Sequence, residues 1–158
     1  MLSLLQTSPA YTGTVHLHNF LRWIILVTLI WSLINAFKGK NGKETLIMMI
    51  SSHVMLLLGL VQWFWGQYGM KAFQGGMKEV MGQKVARFYS VEHPLMMIIA
   101  IVLITIGHRK AKNTEVNTTT SNGVGAKWFF LAALIIILVM IPWPGRDLIG
   151  RGMFPGMH

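Results

Sequence analysis

The chain has 158 residues, of which 53% are hydrophobic and only 12% are charged. A soluble domain carries about a quarter charged residues, so this composition favours a membrane protein. The sequence contains no cysteine, which excludes disulfides, iron–sulfur clusters and covalent c-type haem attachment. The formal net charge of +9 comes mostly from loops, where basic residues set orientation and contact anionic lipid. We therefore predict the lipid bilayer as a partner and no nucleic acid.

Four apolar segments together predict an all-α membrane protein, an up-and-down four-helix transmembrane bundle that forms one domain over residues 1–158. A span takes about 20 mainly apolar residues, and fewer where its ends extend into the headgroups. The four segments lie at about residues 20–37, 45–66, 94–108 and 128–143. They use about half of the chain and leave no room for a second domain.

The loops after the first and third spans carry the densest positive charge. The first, KGKNGK at 38–43, is a short turn that predicts an antiparallel helix pair, and the third begins with HRKAK at 108–112. Lys and Arg are enriched on the cytoplasmic side of membrane proteins. We therefore predict a multi-pass protein of a bacterial inner (cytoplasmic) membrane with both termini outside.

The two longer connections differ in character. Between residues 69 and 90, Met, Phe and Val recur near helical spacing with Lys, Gln and Arg between them. This pattern predicts an amphipathic helix on the outer membrane surface, weakened at Gly75–Gly76. The stretch at 112–126 is rich in Thr and Asn and predicts a flexible loop.

Histidines occur in or at the ends of the first three spans. They are His16 and His18 just before the first span, His53 inside the second, and His93 and His108 at the two ends of the third. We expect His16 to lie at the membrane interface. Ionisable residues at membrane depth are expensive, so they are candidates for a functional site. Imidazoles on neighbouring spans of a small helical bundle are typical axial ligands of a haem iron.

Depth within the membrane groups these histidines into two pairs. With a rise of about 1.5 Å per residue, His18 and His93 lie about 16 and 12 Å to the outer side of the span centres. His53 and His108 lie about 4 and 11 Å to the inner side. Two axial ligands of one iron must be nearly level. We therefore predict His18 and His93 as iron ligands, while His53 and His108 leave room for a second haem.

The positions of these residues around the third span support pairing His18 with His93, the two histidines predicted at the outer side (the outer pair). His93, Met97, Ala100, Ile104 and His108 fall on one stripe of the third span.

Arg22 lies one turn after His18 on the same face of the first span. Its guanidinium suits a haem propionate, and the alternative is that it extends to lipid headgroups.

Each of these histidines also has a simpler interpretation. His53 would hydrogen-bond a neighbouring helix, and His108 would be the solvated end of a span. His93 precedes Pro94, a residue that suits the first turn of a helix, so it would only mark a helix start.

Four stretches carry a resemblance to a known family. They are HLHNFLRW, SSHVMLLLGLVQWFWG, RFYSVEHPLMMIIAIVLITIGHRKAK and IPWPGRD. They resemble small four-span bacterial membrane proteins labelled cytochrome b, over nearly the whole chain, and this resemblance implies b-type haem. More distantly, the chain is similar to one four-helix half of haem A synthase, in which histidines on the first and third helices face each other. His18 and His93 match that placement.

Together these features predict a membrane cytochrome that binds one non-covalent haem b near the outer face and passes electrons, without being a catalyst in its own right. A quinol or another redox protein would be its partner. One alternative is a haem-free accessory subunit of a larger membrane complex. Another is a transporter of haem or another small molecule, in which the histidines bind their cargo transiently.

Overall fold

The computed structural model describes residues 9–40, 42–66, 68–116, 123–150 and 152, and all regular structure within them is helical. The first two long helices are α1 (Pro9–Phe37) and α2 (Glu44–Trp65). A 3₁₀ helix (Met70–Gly75) and two short helices, α3 (Met77–Gly82) and α4 (Lys84–Arg87), follow. A π-helical turn (Phe88–Glu92) then leads into α5 (His93–Val116), and α6 (Gly123–Met140) is the last helix.

Three helical runs are long and apolar enough to cross a membrane. They are Pro9–Phe37, Glu44–Trp65 and Lys84–Lys112, and Gly125–Met140 is a shorter apolar helix. Only 28%, 17% and 28% of the most apolar window of each long run is buried against the protein. Large apolar side chains therefore cover the outside of these helices, which is unusual for a protein surface in water and suits lipid.

The four long helices pack as a closed ring of neighbours. α1 contacts α2 and α6, and α5 contacts the same two helices, so α1 and α5 lie diagonally opposite each other. The centre is filled by one fully buried large side chain from each helix, namely Leu29, Met48, Ile104 and Phe130. Buried alanines and Gly107 on α5 and α6 let these two backbones approach closely.

The first helix begins earlier than the apolar pattern predicts. It is already helical at Pro9, so His18 lies inside α1 and not before the span. Thr14 donates its hydroxyl to the carbonyl of Tyr11, within the same helix. Such polar residues lower the hydropathy of a segment without ending the helix, because they satisfy their own hydrogen bonds.

The other predicted boundaries also change. α5 runs to Val116 and α6 begins at Gly123, so the flexible loop predicted at 112–126 is helical at both ends. Residues 117–122 of that loop lie outside the described residues. α6 ends at Met140, just before Pro142 and earlier than the predicted residue 143, because proline cannot continue the hydrogen-bonded ladder.

The segment at 69–90 is helical, as predicted, but it is three short pieces and not one helix. Gly76, with a φ of +91°, separates the 3₁₀ helix from α3, and Gln83 separates α3 from α4. Val80 and Phe88 are buried, whereas Met77 and Met81 are exposed. Its location at the membrane surface stays a prediction.

Pro94 lies in the first turn of α5, which begins at His93, but the helical run of which α5 is part already starts at Lys84 and continues through this proline. A proline inside a helix has no N–H to donate to the carbonyl four residues earlier, which here is Ser90. The π-helical turn relieves the conflict, because the N–H of His93 bonds to Phe88. The Ser90 carbonyl instead accepts the indole N–H of Trp63, at 3.0 Å. Such turns occur often at functional sites.

Candidate functional site

The hydrogen bonds between α2 and the third helical run set the level of each histidine. Trp63 bonds to Ser90 near one end, and His108 Nδ1 lies 2.9 Å from Thr45 Oγ1 near the other. Because the two helices are antiparallel, this register puts His93 level with Leu60 of α2.

His18 lies against the same part of α2. Its Cε1 atom is 3.6 Å from the position that a Cβ atom would occupy on Gly59. His18 and His93 are therefore level to within about one residue, or about 1.5 Å of helical rise. They sit on the diagonally opposite helices α1 and α5, and His18 is close enough to His93 and Arg22 to interact with both electrostatically.

The imidazole of His18 has an unsatisfied polar atom. Its Nδ1 is buried and has no hydrogen-bond partner among the described residues. Depending on the tautomer, a buried nitrogen of this kind can still donate its N–H or bind a further group through its lone pair.

The imidazole of His93 is oriented by α6. Its Nδ1 lies 3.0 Å from the carbonyl oxygen of Met140, which only accepts, so Nδ1 carries the proton and donates it. Nε2 then carries the lone pair. Histidines that bind metals almost always have their second nitrogen held in this way by a carbonyl or carboxylate.

Arg22 is buried, with 9% of its surface exposed. Its Cζ atom lies 5.2 Å from the ring centroid of Trp23, which is within cation–π range. A side chain that extended to the lipid headgroups would not be buried in this way. Of the two interpretations of Arg22, the structure therefore favours the one in which its charge lies inside the protein.

His53 and His108 are arranged differently from the outer pair. His53 is exposed, and its Nδ1 donates to the Met49 carbonyl of its own helix at 2.8 Å. His108 lies opposite Thr45, eight positions from His53 along α2, which is about 12 Å of helical rise. Both histidines line one groove between α2 and α5, but they are not level. This arrangement does not let both bind one iron.

The donor set near His18 and His93 fits the requirements of a haem iron. No group of three or more His, Cys, Asp or Glu able to hold a metal occurs within the described part of the chain. A haem iron needs only two axial ligands, because the porphyrin supplies the other four. The imidazoles of His18 and His93 fit that requirement, because they are level, His18 has a buried nitrogen without a partner among the described residues, and the Met140 carbonyl orients His93. The buried Arg22 lies one turn from His18.

Hydrogen bonds at the same end of the molecule hold this region together. Gln62 donates its amide to the Thr14 carbonyl at 3.0 Å, joining α2 to α1 one turn before His18. The Tyr89 hydroxyl donates to the Ile149 carbonyl at 2.6 Å, which joins the third helical run to the segment after α6. Arg87 and Glu92 form an ion pair across the π-helical turn. The level of His18 relative to α2 is thus fixed by the Gln62–Thr14 hydrogen bond as well as by apolar packing.

Sequence reasoning missed the carbonyl of Met140 that orients His93, and nothing in the sequence marks a backbone oxygen as such a partner. It also missed the π-helical turn. A signal was available there, because Pro94 lies within a helical stretch and a proline in such a place requires a local rearrangement. The contact of His18 with Gly59 follows only from the register of α1 on α2.

Comparisons with protein-family models, with curated proteins and with solved structures find no match for this chain.

Proposed function

We propose that the chain is a four-helix transmembrane bundle that holds one non-covalent b-type haem between α1 and α5 and passes electrons. One observation carries the proposal. His18 and His93 are level on diagonally opposite helices, and the His18 imidazole has a buried nitrogen without a partner among the described residues. A bound haem would carry a single electron by cycling between ferric and ferrous iron.

The protein's own residues would supply ligation, orientation and charge. His18 and His93 would hold the iron, and the Met140 carbonyl would orient the His93 ring through Nδ1, so that Nε2 carries the lone pair in the neutral ring. Arg22 would neutralise a propionate, because a planar guanidinium matches a carboxylate. Burial by the surrounding apolar side chains would tune the reduction potential.

The proposal includes one haem and no catalytic residue. His53 and His108 differ in level by about 12 Å, so they do not offer a second pair of axial ligands. The redox partner in this proposal is a quinol or another redox protein.

The competing function is that of a haem-free subunit of a larger membrane complex. His53 bonds to Met49 and His108 bonds to Thr45, and hydrogen bonds of this kind satisfy an imidazole without a cofactor. For these two histidines they support the haem-free subunit. Neither bond involves His18 or His93. The two functions are therefore distinguished by whether the outer pair binds haem.

We expect the protein, purified in detergent from haem-replete cells, to carry about one haem per chain, since its described residues offer one pair of level imidazoles for an iron between α1 and α5. A pyridine haemochrome assay gives the haem type and the stoichiometry together, and the type should be b. Low-spin bands should sharpen on reduction with dithionite. A folded and colourless protein would contradict the proposal and support the haem-free subunit.

We also propose that the protein lies in a bacterial inner membrane with both termini outside, because the first loop and HRKAK carry the densest positive charge. Alkaline phosphatase fused to the C-terminus should then be active, and a fluorescent protein that matures only in the cytoplasm should be dark there. As a matched control, the same two reporters fused after Lys40 should give the opposite pattern. If the C-terminal fusion is fluorescent, the C-terminus lies in the cytoplasm and the proposed topology is wrong.

A further inference from the structure

The groove between α2 and α5 has about 700 Å³ of space and two chemically different ends. Ile50, Val54 and Leu57 form an apolar wall along one stripe of α2, and all three are exposed. Arg109 and Lys112, both exposed, lie at the other end on α5. No acidic side chain is among the described residues that line the groove.

The register of the two helices gives the groove its length. His108 is level with Thr45, and Leu57 lies twelve positions further along α2, which is about 18 Å of helical rise. Half of a bilayer's hydrocarbon core is about 15 Å thick. The apolar wall itself, from Ile50 to Leu57, covers about 10 Å of this length. The groove as a whole covers about the depth of one leaflet, with the two cations at its headgroup end.

From this geometry we propose that the groove binds one anionic phospholipid. Its phosphate lies against Arg109 and Lys112, and one acyl chain lies along Ile50, Val54 and Leu57. Basic pockets between membrane helices bind anionic headgroups through the same charge complementarity. The proposal rests on the membrane-spanning part of the proposed function and is independent of haem.

The test is native mass spectrometry of the detergent-purified protein with phosphatidylglycerol or phosphatidylcholine of identical acyl chains. We expect phosphatidylglycerol to be retained preferentially. The double variant Arg109→Gln/Lys112→Gln should bind it about 25-fold more weakly, since a surface cation contributes about fivefold. The matched control is Lys38→Gln/Lys40→Gln, which removes two exposed cations at the same end of the molecule but outside the groove. It should change binding less than about twofold.

A second pair of variants tests the acyl-chain wall. Val54→Trp would fill the groove and should lower retention of phosphatidylglycerol, whereas Val27→Trp, at an exposed position of α1 outside the groove, should not. Equal retention of both lipids, or equal loss in the two double variants, would overturn the proposal. A prenyl quinone is offered as a third ligand in the same assay. If the protein retains the quinone in preference to phosphatidylglycerol, and the double variant Arg109→Gln/Lys112→Gln retains it equally well, the proposal is also overturned.

Failure of this proposal can be told apart from failure of the proposed function. The haem spectrum of each protein sample shows whether haem is bound at His18 and His93, which lie at the other end of the molecule from Arg109 and Lys112. Release of the protein from membranes by alkaline carbonate without detergent would contradict the membrane spans themselves. Unselective lipid binding by a haem-loaded, membrane-integral protein would overturn the lipid site alone.

Discussion

His93→Ala should remove the low-spin haem spectrum, leaving either high-spin haem or protein without haem. Apart from His18, the imidazole nearest this level among the described residues is that of His16, which is exposed and lies on a different face of α1 from His18. It therefore cannot take the place of His93 on the iron. Loss of an outer-shell partner of a metal-binding histidine already costs about 10–100-fold in metal affinity. Loss of the ligand itself should therefore lower low-spin haem content by at least about tenfold. Absorption spectra of the oxidised and reduced protein, at matched protein concentration, measure this.

Three further samples make that result specific. His18→Ala should behave like His93→Ala, whereas His53→Ala should keep its spectrum, because His53 is exposed and bonded to its own helix. Added imidazole should restore low-spin bands to His93→Ala if the variant is folded and only the ligand is missing. If His18→Ala and His93→Ala keep a bis-His spectrum while His53→Ala loses it, the pairing of His18 with His93 is wrong.

Gly107→Leu should strongly destabilise the packing of α5 on α6. A Cβ atom at position 107 would lie 2.6 Å from Cε1 and 2.8 Å from Cδ1 of Phe130, a ring that is fully buried. The ring has no room to withdraw, so the two helices must separate. Overpacking of this kind costs about 1–3 kcal/mol. The free energy of unfolding can be measured from loss of helical circular dichroism in mixed detergent micelles.

Two variants control this experiment. Gly13→Leu adds the same side chain to a helix at a position with no described atom within 4 Å, so it should leave the unfolding free energy nearly unchanged. Phe130→Ala should cost less in the Gly107→Leu background than alone, because the smaller residue makes room for the leucine. Additive losses in the double variant, or equal stability of the two leucine variants, would contradict the predicted clash.

Hydropathy alone located the apolar segments, because a span must be apolar over most of its length whatever it packs against. Boundaries were less accurate where polar residues extend a helix. Thr14 lies in α1 and Lys112 lies in α5, although neither belongs to an apolar run. Helical hydrogen bonds continue through such residues because each of them keeps its backbone N–H and carbonyl. The apolar pattern therefore gives the minimum extent of a helix.

The candidate site was predictable in part. Counting residues from the span centres was enough to predict that His18 and His93 lie at a similar level, because helical rise is constant and the spans alternate in direction. The same count put His53 and His108 about 7 Å apart in level. Side-chain hydrogen bonds between Thr45 and His108 and between Trp63 and Ser90 set the actual register, and they enlarge that difference to about 12 Å.

The sequence by itself determined the helical class, the apolar segments and the histidines that share a level, because these follow from composition and from the fixed geometry of a helix. The tertiary structure decided what each imidazole faces. The Met140 carbonyl orients His93, Gly59 lies against His18, and Arg22 is buried and does not extend outward. These contacts depend on how whole helices are rotated and shifted along one another. The periodicity of apolar residues in the sequence does not determine that arrangement.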